Sequence, residues 1–428
     1  MNFFLLLIYL VLYLLMPHAW GLNDFDEALP LTVLSLSICL LFFIFNREEK
    51  LYSPQFILLC GLCIAILLSA LSNHWLGGGV TLTQQFLLVA VIPFLLFSNL
   101  IKSNENQKTV MWVCIISAVL MVTNGISQIN ADNDLGWAGS ALSEGTRITY
   151  IGVLNDPNDL GSFFVLVLPF TFYFSKYGRN FISRSISIIS SSFILYGIYL
   201  TNSRGALLAT ITMFGMYFYM RYGKLKSFFL AFILSPLVLI VMSSFREIDA
   251  SEESASGRVE AWYEGIEMLK SNPFFGVGMG GFTDYHHLTA HNSFVLVMSE
   301  LGVIGYALWF CFYGLSFYML LWVFKYHTRI LREGDSSMLD KEGLSTSLSI
   351  NGTLFYSFVG YTTTSFFLSR SYHFFTYFIC ALAFSSYARV VLLEKDIEIK
   401  QMNSVLLNIF SISLLSIIAF YLLVKFLL

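Results

Sequence analysis

The stretch Ala290–Val303 reads A-H-N-S-F-V-L-V-M-S-E-L-G-V. A histidine and an asparagine stand where a polar loop gives way to an apolar helix. Glu300 follows nine residues after His291, inside what reads as hydrocarbon. Those residue types at that boundary point to chemistry at a membrane surface. Working outward, the same kind of apolar run recurs along the whole chain of 428 residues, which is 57% hydrophobic and 12% charged. A soluble domain carries about 25% charged residues. Runs of about 17–25 apolar residues are long enough to span hydrocarbon as helices. They fall at 3–16, 31–45, 55–71, 82–98, 109–128, 159–175, 186–201, 205–220, 227–243, 293–324, 348–367, 372–393 and 404–427. The runs are continuous and do not alternate, which excludes a closed barrel. The expectation is an all-α integral membrane protein, one polytopic domain over 1–428 with about 12 (12–13) transmembrane helices. The first run has no basic flank and no small-x-small cleavage site, so it reads as a retained anchor.

The basic residues set the orientation. With the N-terminus in the cytoplasm, seventeen Lys and Arg fall on the cytoplasmic side. Seven fall on the other: Arg147, Arg204, Arg246, Arg258, Lys270, Arg370 and Lys425. External cations are therefore scarce, and each needs a reason. All six cysteines lie in apolar runs. Cys60 and Cys63 resemble a redox or zinc pair, but they read better as two small apolar residues on a membrane helix. The net charge of −3 gives no support for nucleic-acid binding.

Two external loops are long, 129–158 and 244–291. The second should carry the chemistry. Within it, Gly257–Ser271 reads as an amphipathic helix. Val259, Trp262, Ile266 and Leu269 form an apolar stripe, Glu260, Glu264 and Glu267 lie opposite, and Pro273 ends the helix. Such a helix lies along the membrane surface or covers a cavity. Residues 246–291 hold eight acidic side chains against three basic ones. A phosphate bound here would rest on single, placed arginines.

Six motifs could carry chemistry. In Thr201–Ala206, Arg204 sits at a turn where Ser203 can cap the next helix. An arginine beside a helix N-terminus suits a diphosphate, although a snorkelling arginine would look the same. Arg258 and Trp262 are one helical turn apart and share a face, as they also would on a plain surface helix. Asn272–Phe282 is glycine-rich but follows no strand, so it fails as a dinucleotide loop. It reads as a tight turn bringing backbone close to a substrate or to the bilayer. His291 and Asn292 open a membrane helix, whose dipole favours a neutral imidazole suited to a general base; helix capping is the alternative. Glu300 lies roughly 13 Å deeper on the opposite face. A structural partner, such as a buried arginine, is expected for it. A site built from His286, His287 and His291 lacks a carboxylate in a metal-binding arrangement, so no metal and no cofactor are expected. In Gly152–Gly161, Pro157 forces a turn before a helix capped by Asn158 or Asp159. Asn155, Asp156, Asn158 and Asp159 exceed what capping needs, which leaves sugar-hydroxyl binding or loop positioning. Arg370 in Ser369–Tyr372 is a further external cation, or another snorkelling one.

In this order the motifs resemble the bacterial O-antigen ligase and polysaccharide polymerase superfamily. The resemblance is carried by N-D-P-N-D-L-G at 155–161, S-R-G-A at 203–206, G-R-x-x-x-W at 257–262, N-P-x-x-G-V-G at 272–278, and H-N-S-F with E-L-G-x-x-G at 291–305. It implies a metal-independent, inverting glycosyltransferase of the bacterial inner membrane, with its active site facing the periplasm. The implied donor is a glycan on undecaprenyl pyrophosphate. Arg204 and Arg258 map to its pyrophosphate-binding arginines, with Arg370 as a third candidate, and His291 maps to the residue that activates the acceptor hydroxyl. The acceptor is lipid A core in a ligase and the growing glycan in a polymerase, and the motifs do not separate the two. A non-catalytic flippase is the alternative of another class. It should show inverted repeats and helices broken at the midplane, and neither is visible in the sequence.

Overall fold

The computed structural model describes residues 1–21, 30–46, 50–51, 53–229, 233, 253–333, 343–393 and 402–427. Among these the chain is helical, with no strand. In chain order the helices are α1 (Asn2–Leu15), α2 (Leu31–Phe45), α3 (Pro54–Ser72), α4 (Leu76–Phe86), α5 (Ile92–Leu100), α6 (Asn104–Asn130), α7 (Pro157–Tyr177), α8 (Phe181–Leu200), α9 (Arg204–Tyr222), α10 (Glu253–Ser271), α11 (Phe282–Tyr285), α12 (Ser293–Glu333), α13 (Leu344–Ser365), α14 (Phe374–Leu393) and α15 (Met402–Leu427). One π-helical turn, Leu87–Val91, joins α4 to α5 into a continuous rod.

Eight of these rods are long and apolar enough to cross a membrane: α3, α4–α5, α6, α7, α8, α12, α14 and α15. The helices α1 and α2 are apolar but shorter. Gly, Thr, Tyr and Ser dilute α9 and α13. The expected span 227–243 lies almost wholly outside the described residues, as do 244–252 of the long loop and 334–342 of the polar segment 325–347.

The chain divides into two compact units. The first holds Met1–Asn46, Leu100–Ala250 and Ser349–Thr364. Its axis is α7, which is buried nearly all round, as an apolar helix without a polar face must be. Its neighbours are α6, α8 and α9. Against it also lies α13, where Gly360 allows close approach to Val165 and Ser357 donates to the Leu166 carbonyl. On α8, Phe181, Ile182, Ile186, Ile188 and Ile189 face outward, a surface suited to lipid.

The second unit holds Arg47–Asn99, Ser251–Leu348 and Ser365–Leu428. Here α12 is central, flanked by α3, α10, α14 and α15. Aromatic rings fill the core. Phe312 lies 5.4 Å from Tyr377 and 5.3 Å from Phe94, and Phe97 lies 5.0 Å from Phe378. The expected span 293–324 forms within α12, with one break. Gly302 takes φ 64° and ψ −168°, breaking α12 after its first two turns. A side chain there would strain the backbone and meet the Phe274 carbonyl carbon at 2.5 Å.

Candidate functional site

In the second unit, α12 starts where the sequence places it, but Asn292 rather than His291 caps it. Asn292 Oδ1 accepts from the backbone N–H groups of Phe294 and Val295 at 2.9 and 3.1 Å. That satisfies two of the donors left open at a helix N-terminus. His291 stands one residue outside the helix, partly buried, with φ 45°. A non-glycine residue in that left-handed region costs about 1–3 kcal/mol and persists only where its surroundings impose it.

Those surroundings come from two other segments. The amphipathic helix forms as α10, with Ala261, Trp262, Ile266, Met268 and Leu269 buried and Glu260 exposed. Gly265 lets α10 lie directly on α12, because a Cβ there would come 2.7 Å from Val295. Trp262 Nε1 donates to the Ala290 carbonyl at 2.9 Å, fixing the peptide next to His291. From the other side, Ser293 Oγ donates to the Leu368 carbonyl at 2.6 Å and accepts from Arg370 N–H at 3.0 Å, while Ser371 Oγ donates to the Ser293 carbonyl at 2.7 Å. Arg370 Nη1 lies 3.5 Å from His373 Nε2. This unit thus gathers Trp262, His291, Asn292 and Arg370 around one helix start. Arg258 lies one turn before Trp262 on α10, next to Gly257, where an added Cβ would come 3.5 Å from Leu288.

Glu300 is buried at 2% exposure, and among the described residues no arginine forms a salt bridge with it. Its Oε1 accepts from Phe282 N–H at 3.4 Å. Burial first, and then the nearby Glu300 charge, push the Tyr372 phenol well above its ordinary range. Glu300 therefore meets a backbone N–H and lies near Tyr372, where the expected partner was an arginine.

The glycine-rich segment approaches the protein's own backbone. Val277 and Gly278 N–H donate to the Ser299 and Glu300 carbonyls at 3.0 and 2.9 Å, and Val303 N–H donates to Pro273 at 2.8 Å. The break at Gly302 frees those carbonyls, and the N-P-F-F-G-V-G segment satisfies them. Any side chain on Gly276 would overlap the Glu300 peptide. From α3, Ser69 Oγ donates to the Glu300 carbonyl at 3.0 Å and Asn73 Nδ2 to the Gly276 carbonyl at 2.9 Å.

The first unit brings two other motifs together. Asp156, not Asn158 or Asp159, caps α7, accepting from the Asn158 and Asp159 N–H groups at 2.7 and 3.2 Å, with Pro157 in the first helical position. Asp159 is buried and Asn155 exposed. As expected, Ser203 caps α9, and Arg204 is exposed in its first turn. Gly161 allows contact between α7 and that turn, since a Cβ would come 2.8 Å from Ala206. Arg147, counted in the sequence but given no role, ties the two motifs. Its Nε donates to the Thr201 carbonyl at 3.0 Å and its Nη2 to Asn158 Oδ1 at 2.9 Å. The loop bearing Arg147 is anchored by Asn124 and Gln128, which bond Ser140, Ala138 and Thr149. It is also anchored by Tyr150, which donates to the Leu15 carbonyl at 2.9 Å. Burial pushes the Tyr150 phenol up to about 12, which keeps it a donor.

Among the described residues no three His, Cys, Asp or Glu side chains group to hold a metal ion. His286 accepts from Leu288 N–H through Nδ1 at 3.1 Å and packs on His287.

Residues 189–310 match the family model described as O-antigen ligase. The match spans four of the motif groups, from S-R-G-A to E-L-G-x-x-G, and leaves N-D-P-N-D-L-G just before it. No curated protein matches the chain.

Proposed function

We propose, from the match of residues 189–310 to the O-antigen ligase family model, that the protein transfers a glycan from undecaprenyl pyrophosphate to an acceptor hydroxyl at the periplasmic face of the bacterial inner membrane. The observation that carries this reading is the strained, partly buried His291 at the start of α12. Trp262 holds one side of it, and the 368–371 segment carrying Arg370 holds the other.

In the reaction, the acceptor oxygen attacks the anomeric carbon. His291 takes the hydroxyl proton as the new C–O bond forms. The old C–O bond breaks, and undecaprenyl pyrophosphate leaves with the electron pair. A single displacement inverts the anomeric centre. Arg258 and Arg370 neutralise the developing phosphate charge, a task arginine performs without a metal. Arg204 takes the same donor role from its motif alone. Asn292 fixes the helix start, and Glu300 holds the glycine segment. The loop 244–291 is the periplasmic catalytic element of a single membrane domain. Ligase and polymerase share this chemistry, and lipid A core is the acceptor assigned.

The test is transfer by purified protein from lipid-linked donor to acceptor, with and without EDTA. Transfer should survive chelation. Loss on chelation, restored by one divalent ion, would reject the metal-independent mechanism.

A further inference from the structure

A concave site away from the start of α12 lies within the second unit. It is a cavity of about 260 Å³. Its walls are the end of α3, the start of α4, the glycine segment and α11, with Asn73, Trp75, Gly278, Gly281, Asp284 and Tyr285 among the lining residues. By volume it holds roughly nine waters, room for one sugar ring.

The lining defines the ligand's chemistry. Trp75 and Tyr285 are 57% and 58% exposed, so the fold holds two large rings out of its core. The Trp75 indole also lies against Gly78, where any side chain would overlap the ring. Aromatic faces of this kind bind apolar C–H surfaces. Among the described residues Asp284 is the charged one lining the cavity, and a carboxylate accepts hydrogen bonds from hydroxyls. It also repels phosphate, which separates this cavity from the arginine-bearing site. Asn73 uses its amide nitrogen on the Ser69 and Gly276 carbonyls at 2.8 and 2.9 Å, leaving its oxygen as an acceptor. Rings with C–H affinity, hydroxyl acceptors and no cation describe a neutral, polyhydroxylated ligand. An interfacial aromatic belt would also expose tryptophan and tyrosine, but it does not place them around a cavity with a carboxylate.

We infer that this cavity is a saccharide subsite, holding one neutral sugar ring of a glycan that is being transferred or extended. The choice of glycan rests on the function proposed above. The position fits that role, because only five residues separate Tyr285 from His291. Val277 and Gly278, which line the cavity, also bond to the broken helix that starts beside His291.

The experiment is calorimetric binding to the full chain in nanodiscs. The probe is a neutral oligosaccharide released from the host's surface glycan, with inorganic pyrophosphate as a separate probe. Trp75→Ala and Asp284→Asn should each raise the oligosaccharide dissociation constant at least tenfold. Gly78→Ala should do the same by displacing the indole, and Trp75→Phe should recover most of the affinity. Pyrophosphate binding should not change. Unchanged oligosaccharide affinity in both Trp75→Ala and Asp284→Asn overturns the subsite while leaving the transfer reading intact. A wild-type protein that transfers glycan but does not bind the free oligosaccharide also overturns it. Absence of both transfer and binding overturns the functional reading together with the subsite.

Discussion

Trp262 Nε1 donates to the Ala290 carbonyl at 2.9 Å, so the amphipathic helix holds the peptide that precedes His291. The Ala290 residue is 0% exposed, and its carbonyl depends on protein donors. Under the proposed function Trp262 is therefore a positioning residue, acting on the reaction through His291.

Replacing it tests that role. Trp262→Phe keeps most of the apolar contact but leaves the buried carbonyl without this donor, a cost of about 1–3 kcal/mol. Turnover should fall about tenfold, with the donor KM nearly unchanged and the melting temperature lowered. Tyr263→Phe, on an exposed position of the same helix, should behave as wild type. Equal effects from the two substitutions would show that the hydrogen bond has no special part.

Gly302→Ala should be among the most damaging single-methyl changes in the chain. It forces a side chain onto φ 64° and into the Phe274 peptide. The expected loss exceeds about 2 kcal/mol, read as a lower yield of folded protein and a lower melting temperature in detergent. Gly215→Ala, in open space on α9, is the control and should be neutral. A wild-type melting temperature for Gly302→Ala would mean that the break in α12 does not depend on glycine.

Arg147 predicts a coupled response in the first unit. Its fork joins Thr201 to Asn158, and lysine cannot reproduce both bonds. Arg147→Lys should speed amide hydrogen exchange in both 155–161 and 199–206 and lower turnover several-fold. Exchange that changes in one segment alone, or in neither, would show that the two motifs are not tied through this side chain.

The contrast between these residues shows what a sequence can disclose. The helices were legible because long apolar runs have few other stable solutions in lipid. The amphipathic α10 was legible from its stripe, and Ser203 from its place before a helix. The break at Gly302 was not, because E-L-G-V continues an apolar pattern without interruption. Its signal lay in a distant partner, the glycines of 276–278, which only tertiary contact connects to it. Asp156 was passed over for Asn158 and Asp159 because a turn with several polar residues offers several caps, and Pro157 decides among them by occupying the first helical position. Arg147 carries a signal as one of the few cations expected outside, but its partners Thr201 and Asn158 are visible only in the fold. Asn124 and Gln128, two amides inside an apolar run, were further signals that the loop after α6 is bonded to it.

The most direct test of the account is the initial rate of glycan transfer by His291→Asn, measured beside its affinity for the lipid-linked donor. Asparagine tolerates the left-handed backbone that His291 occupies, so the loop keeps its course while the base is removed. General-base catalysis contributes about 10²–10⁴-fold. The account predicts a rate at least about 100-fold below wild type with donor affinity nearly unchanged. A variant that binds donor normally and transfers glycan at the wild-type rate would contradict it.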